Sequence, residues 1–331
     1  MRTLIKYLDV FDYELKAFNF FIGGRGVGKT FSALSHLHEM GEPFIYLRNT
    51  DVQMKESATK FGNPFKKLNS VHGWDVRMEA EEGHYNFVEG RDKEKRIIGY
   101  GAALSTFGNL RGVDLSDCNF AFFDEFIQRK KLTYNQFDAF FDFYETVNRN
   151  REFEEPPKPP FKVIFSSNSQ SLNNPILAGF GLINEIERMK RDKVYTYKRK
   201  NLCVYLLPES NDVTEAKRQT ALYQETTGSR NAKEALDNDF AFDSFHHVRK
   251  FPIQEFIGMT AIDEIYIYRH KSNGTIYVCR TPFDCDMVDS TDNISSWRRV
   301  YMLQLREKWI ADRIYFLDFQ CKITLAELIK I

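Results

Sequence analysis

The sequence predicts a doubly wound α/β domain over residues 1–208, a helical linker over 209–244 and a small α+β domain over 245–331. Three observations lead there. Five short apolar runs alternate with helical patterns; a glycine-rich turn follows the first run; and the texture of the chain changes after Pro208. Strand alternating with helix is the signature of a parallel sheet covered on both faces.

The five runs are Phe18 to Ile22, Pro43 to Leu47, Asn119 to Phe123, Lys162 to Phe165 and Leu202 to Leu207. Each is near-continuous rather than alternating, as a strand buried on both faces should be. Helical patterns cover Thr30 to Glu39 and Gln136 to Asn148, the latter with Phe137, Phe140, Phe141 and Tyr144 at helical spacing. Between the second and third runs, Trp74 to Ala103 alternates polar and apolar residues and reads as a β insertion. The stretch EEPPKPP, 154–160, is a rigid loop, because its four prolines remove donors and forbid helix.

Residues 212–236 are polar and helix-forming, with Gly228 expected to break them in two. From about Phe245 strand signals resume. AIDEIYIYRHKSNGTIYVCR reads as a hairpin turning at Ser272, Asn273 and Gly274.

The 46 basic and 46 acidic side chains cancel, so attraction to a polyanion must come from locally placed charge. Five cysteines, Cys118, Cys203, Cys279, Cys285 and Cys321, make no C-x-x-C pair and match no standard zinc spacing. Their odd number, on a chain with no signal-peptide pattern, fits a reducing cytoplasm. No apolar run approaches the roughly 18 residues that a membrane span needs, so the expectation is a cytosolic protein with no membrane partner.

GGRGVGKT, residues 23–30, fits the phosphate-loop (Walker A) pattern G-x-x-x-x-G-K-[ST], and a strand before it and a helix after it are the required context. Gly23, Gly24, Arg25, Gly26, Val27 and Gly28 would wrap a nucleotide's phosphates with backbone N–H groups. Lys29 would reach the β and γ phosphates, and the Thr30 hydroxyl would bind Mg²⁺. NFAFFDEF, 119–126, is a buried strand ending in two carboxylates, the Walker B arrangement. Asp124 would arrive beside the phosphate loop to hold magnesium, and Glu125 would orient or deprotonate the water that attacks the γ-phosphate. The cofactors expected are therefore ATP and Mg²⁺.

A catalytic glutamate after the metal aspartate, with an extra strand between the two motifs, is the layout of the additional-strand, catalytic-glutamate class of P-loop ATPases. KVIFSSN should lie beside the phosphate-loop strand, bringing Ser167 or Asn168 near the γ-phosphate as a polar sensor; an ordinary turn-forming role for Asn168 stays open. In NRNRE, Arg149 and Arg151 face different sides, so at most one serves any given partner. That partner is either the helix dipole or, as an arginine finger, a neighbouring subunit's nucleotide.

These segments together resemble a phage DNA-packaging ATPase. ALSTFGNLRGVDLSDCNFAFFDEF resembles the large-terminase pattern, in which an Arg-Gly pair, Arg111 and Gly112, precedes the acidic strand. NFFIGGRGVGKT, EPFIYLRN, FFDEFI, TVNRNRE and SSNSQSLNNP fall in the order of the encapsidation ATPases of small short-tailed phages with protein-primed genomes. The C-terminal third, with LDNDFAF and the hairpin, resembles them less.

That resemblance implies a DNA translocase that packages a viral genome. Lys29 and Thr30 would bind nucleotide and magnesium, Asp124 the metal, Glu125 would be catalytic and Arg149 a trans-acting finger. It implies a homopentameric ring that acts in the host cytoplasm at the portal (connector) vertex of a procapsid and threads double-stranded DNA. It also admits a structural packaging RNA as a further partner. The small domain would be a ribonuclease-H-like nuclease that has lost its site, and Asp263, Glu264, Asp284, Asp286 and Asp289 read as solvated turn residues. For gripping DNA, QRKKL offers Arg129, Lys130 and Lys131, and Arg188 to Lys200 is a second basic run; either run also reads as a solvated face. The alternatives are a large terminase that still cuts DNA and a nucleotide-gated scaffold, which would have no need of Glu125. A GTPase switch is disfavoured, since no N-K-x-D base-reading motif is present.

Overall fold

A computed structural model describes residues 8–24, 26–81, 84–110, 115–128, 132–149, 151–168, 171–207, 211–226, 247–283 and 289–331. The chain forms two compact units, Met1–Gly179 with Met189–Phe242, and Phe180–Arg188 with Asp243–Ile331. Phe180–Arg188 thus counts with the second unit.

The first unit is built on strands β1 (Phe18–Gly23), β2 (Phe44–Arg48), β3 (Val76–Glu81), β4 (His84–Glu89), β5 (Arg96–Ala103), β6 (Phe120–Asp124), β7 (Lys162–Ser167), β8 (Thr196–Lys198) and β9 (Leu202–Leu207). They form one sheet in the order β3-β4-β5-β2-β6-β7-β1-β9-β8. From β5 to β9 every neighbouring pair is parallel, and β3, β4 and β8 join antiparallel at the edges. All five apolar runs are parallel strands of this sheet. The stretch expected as an insertion is continuous with it, because β5 pairs in parallel with β2 and carries β4 and β3 outward.

Helices α1 (Lys29–Glu39), α2 (Asp51–Ser57), α3 (Lys66–His72) and α4 (Gln136–Asn148) complete the layers around the site. One face of the sheet packs Phe21, Tyr46, Phe122 and Tyr205 against Ala33, Leu34 and Leu37 of α1. On the other, Phe165 stacks on Phe20 at 4.3 Å and meets Phe140 of α4 at 5.1 Å. The buried side of α4 is Gln136, Phe140, Phe143 and Val147. Phe141, expected in the apolar set, is 57% exposed. Asn19 interrupts the first apolar run yet is fully buried. Its amide is satisfied by Lys16 O and Val163 O, and its carbonyl accepts from Lys16 N.

Helix α5 (Pro175–Gly179) follows β7, and α6 (Ile183–Arg191) precedes β8. In the span expected as a linker, which counts with the first unit through Phe242, α7 (Asn211–Arg218) and α8 (Ala221–Glu225) are separated at Gln219 and Thr220, where Thr220 takes an extended ψ of 149° as N-cap. The break described therefore comes before Gly228, which lies outside the described residues.

The second unit has strands β10 (Phe256–Ile262), β11 (Ile265–His270), β12 (Ile276–Cys279) and β13 (Ile314–Phe316) in that order, with helices α9 (Ile294–Ile310) and α10 (Phe319–Leu328). The first three strands run antiparallel, and β13 joins β12 in parallel. The hairpin expected around Ser272, Asn273 and Gly274 joins β11 to β12, with Gly274 at φ 65°. Ile265, Ile267, Ile276, Val278, Ile314 and Phe316 form one core with Trp297, Leu305 and Leu325 of the helices.

Candidate functional site

The loop between β1 and α1 closes over a cavity of about 650 Å³ lined by Gly26, Val27, Gly28, Lys29, Thr30, Phe31, Lys67, Val71, Asp124, Glu125, Ser166, Ser167 and Asn168. Gly28 caps α1 at φ 107°, a conformation that strains any residue with a Cβ, so the loop can turn into the helix only with glycine here. Lys29 is buried, and its Nζ donates to Gly23 O at 2.9 Å and Gly24 O at 2.7 Å, with Asn168 Oδ1 at 3.5 Å.

Parallel pairing of β6 with β7, and of β7 with β1, delivers the acidic strand end to the same cavity. The Thr30 hydroxyl donates to Asp124 Oδ1 at 3.2 Å. A hydroxyl and a carboxylate side by side are the hard oxygen donors that Mg²⁺ takes. Ser167 Oγ, at the end of β7, is buried with no hydrogen-bond partner among the described residues, and Ser167 lines the cavity. Phosphate oxygens would complete such a donor, so the residues present fit a nucleotide with its metal.

Glu125 sits in a left-handed turn at φ 51°, and its side chain is half exposed. Arg48, at the end of β2, reaches both carboxylates: Nη2 donates to Glu125 Oε2 at 2.8 Å, and Nη1 to Asp124 Oδ2 at 3.3 Å. Burial pushes the Asp124 carboxyl up, Arg48 pulls it down, and the charge of Glu125 pushes it up again; the net direction is upward. Burial works against the Arg48 charge, but Tyr46, Asp124 and Glu125 outweigh it and hold the guanidinium above its ordinary value. Tyr46, fully enclosed, donates to Asp124 Oδ2 at 3.2 Å and is itself raised, chiefly by burial.

The structure thus brings Lys29, Thr30, Asp124, Glu125 and Asn168 to one cavity. Arg149 does not line it. Arg149 is exposed at the C-terminus of α4, where its Nε donates to Thr146 O at 3.0 Å. Arg151 is buried and bonds Cys118 O at 2.9 Å and Asn119 Oδ1. Arg25, Arg129, Lys130, Lys131, Arg111 and Gly112 lie outside the described residues, as do Asp284 and Asp286. Asp263 and Glu264 form the two-residue turn between β10 and β11. Among the described residues no group of three His, Cys, Asp or Glu could hold a metal, and no helix is long and apolar enough to cross a membrane.

Sequence reasoning missed Arg48. The available signal was a basic residue closing a buried strand, but its partners depend on β2 lying beside β6, and strand order is not written locally. Phe31, Lys67 and Val71 escaped for the same reason, since α3 meets the cavity only in the fold.

Comparison with known proteins adds the lineage. The family model described as Podovirus DNA encapsidation protein (Gp16) matches residues 9–297. The DNA packaging protein of Bacillus phage B103 is 29% identical over 241 residues, covering 70% of this chain and 67% of that protein. Among solved structures, the bacteriophage Phi-29 viral genome packaging motor assembly superposes with a TM-score of 0.66 at 19% identity, over 95% of each chain. The Phi-28 gp11 DNA packaging motor superposes at 0.60 and 19% identity, over 97% of this chain and 96% of that one. At these identities the superpositions speak for the fold, and the match over most of the chain speaks for the family. The chain belongs to the Podovirus DNA encapsidation protein (Gp16) family.

Proposed function

We propose that the protein is an ATP-driven translocase that packages double-stranded DNA into a procapsid, as a P-loop ATPase of the additional-strand, catalytic-glutamate class. The observation that carries this reading is the convergence of the phosphate loop, the Thr30–Asp124 pair and Glu125 on one cavity, together with family membership. The relatives' names point the same way, being DNA packaging proteins and packaging motors.

Lys29 binds the β and γ phosphates in place of the loop carbonyls it now contacts. Thr30 and Asp124 would hold magnesium, whose chemistry when bound would be to neutralise charge on the phosphates. Glu125 orients the attacking water and takes its proton. Its Oε2 also accepts from Arg48, which fixes the direction of the carboxylate. Ser167 or Asn168, both of which line the same cavity, is the polar sensor of the γ-phosphate. Arg149, exposed where Arg151 is buried, is the residue of the pair that enters a neighbour's site, in a homopentameric ring at the portal with a structural packaging RNA as further partner.

Residues 245–331 are read as a small domain that no longer cuts. Its ribonuclease-H-like ancestry rests on the resemblance alone, since the four described strands cross the sheet in simple chain order. Asp263 and Glu264, in their hairpin turn, suit the loss of a metal site.

The test is ATP hydrolysis with and without double-stranded DNA for the native chain, Glu125→Gln, Arg149→Ala and a mixture of the two variants. DNA-stimulated turnover, lost in each variant and partly regained on mixing, supports shared active sites. Turnover indifferent to DNA and to Arg149 would sink the trans-acting finger and favour the scaffold.

A further inference from the structure

Three buried amides, Asn49, Gln136 and Asn174, meet beneath the turn that carries Glu125, and each is less than 5% exposed. They come from separate places: Asn49 follows β2, Gln136 opens α4, and Asn174 precedes α5. Gln136 Nε2 donates to Asn49 Oδ1 at 2.5 Å and to Phe126 O at 2.6 Å, while its Oε1 accepts from Asn174 Nδ2 at 2.8 Å. Asn49 Nδ2 donates to Glu125 O at 2.9 Å, and Gln128 Nε2 reaches the same carbonyl at 2.5 Å. Asn174 Oδ1 is occupied in turn by Ile176 N at 3.0 Å and Leu177 N at 3.2 Å.

The physical need for this arrangement is local. Past Asp124 the chain leaves the sheet ladder, and Glu125 adopts a left-handed backbone that non-glycine residues take only when their surroundings impose it. Carbonyls 125 and 126 then need donors from elsewhere in the fold. Side-chain amides both donate and accept without adding charge beside Arg48 and Asp124, which an acid or a lysine could not do.

We infer that Asn49, Gln136 and Asn174 are positioning residues for Glu125, fixing the turn that aims its carboxylate into the nucleotide cavity. The inference rests on the catalytic role proposed for Glu125. It also gives α4 a mechanical part, because the helix whose first residue clamps the Glu125 turn is capped at its far end by Arg149.

Gln136→Met in the full chain removes every polar atom of the side chain at similar volume. With DNA and Mg·ATP, kcat should fall roughly ten- to hundredfold, as expected when a reacting group is misplaced by about an ångström. The dissociation constant of a fluorescent ATP analogue should move less than about twofold, because nucleotide binding does not use this turn. In a Glu125→Gln background, where residual turnover is followed with radiolabelled ATP, Gln136→Met should cost nothing further, since both changes remove one contribution. An unchanged kcat, or the same factor lost in both backgrounds, would overturn the inference. If Gln136→Met fails to fold, Gln128→Met, which removes a half-buried donor to the Glu125 carbonyl that Asn49 also serves, is measured in its place and read the same way. Undiminished hydrolysis by Glu125→Gln itself would strike the proposed function instead.

Discussion

Arg48 Nη2 donates to Glu125 Oε2 at 2.8 Å across 77 positions of sequence, and the same guanidinium donates to Asp124. One cation thereby serves the two acids expected to manage metal and water. Arg48→Met would leave Asp124 buried with less compensation. Breaking such a pair costs about 3 kcal/mol, so the urea midpoint should fall well below the native one. Arg48→Lys keeps the charge but not the fork, and should recover most of the stability while still failing to hold both carboxylates.

Asp124→Asn should stabilise the protein at neutral pH while abolishing hydrolysis. The folded-state pKa of Asp124 is raised above its ordinary value of 3.8, chiefly by burial. Between 3.8 and that raised value the folded state binds more protons than the unfolded one, so this group's contribution is present at low pH and lost as pH rises. The Tm difference between Asp124→Asn and the native chain should therefore be larger at pH 8 than at pH 4. An equal difference at both would show that burial does not govern this carboxyl.

Arg149 and Arg151 should separate cleanly by assay. Arg151→Ala removes a donor from Cys118 O and a buried stem, costing about 2 kcal/mol in denaturant unfolding. Arg149→Ala, at an exposed site, should change stability by less than about 0.5 kcal/mol yet lose hydrolysis. A stability loss in Arg149→Ala as large as that in Arg151→Ala would assign both residues to architecture.

Within the second unit Trp297 Nε1 donates to Thr260 Oγ1 at 3.1 Å, both groups being buried. Thr260→Val keeps the shape and orphans the indole N–H, at a cost of about 1–3 kcal/mol. Thr260→Ser should restore most of it. Unfolding followed by tryptophan fluorescence checks both.

How much of this was legible in the sequence depended on whether the signal was local. The parallel strands were readable because burial on both faces makes them continuous apolar runs, as in Phe120–Asp124 and Leu202–Leu207. The phosphate loop was readable because its chemistry demands fixed glycines and a lysine. Gln136 was not, since a polar residue at the start of α4 looks solvated until Asn49 and Asn174 arrive from other elements. Phe141 misled for a related reason: helical spacing gives a stripe but not which edge of it meets the sheet, and Phe143 took the buried place.

The two rims of the large sheet carry a consequence for assembly. At one rim stands β8, three residues long, followed at once by Arg199 and Lys200. At the other, β3 presents Arg77, Glu79 and Glu81, with Arg77 paired to Glu79 at 2.9 Å and Lys95 to Glu79 at 2.6 Å. Short or charged margins are how proteins refuse an incoming strand. Copies crowded together would thus find little ladder to extend at either rim of this sheet, and contacts made there fall to side chains and loops, which can loosen and re-form without risking fibre growth.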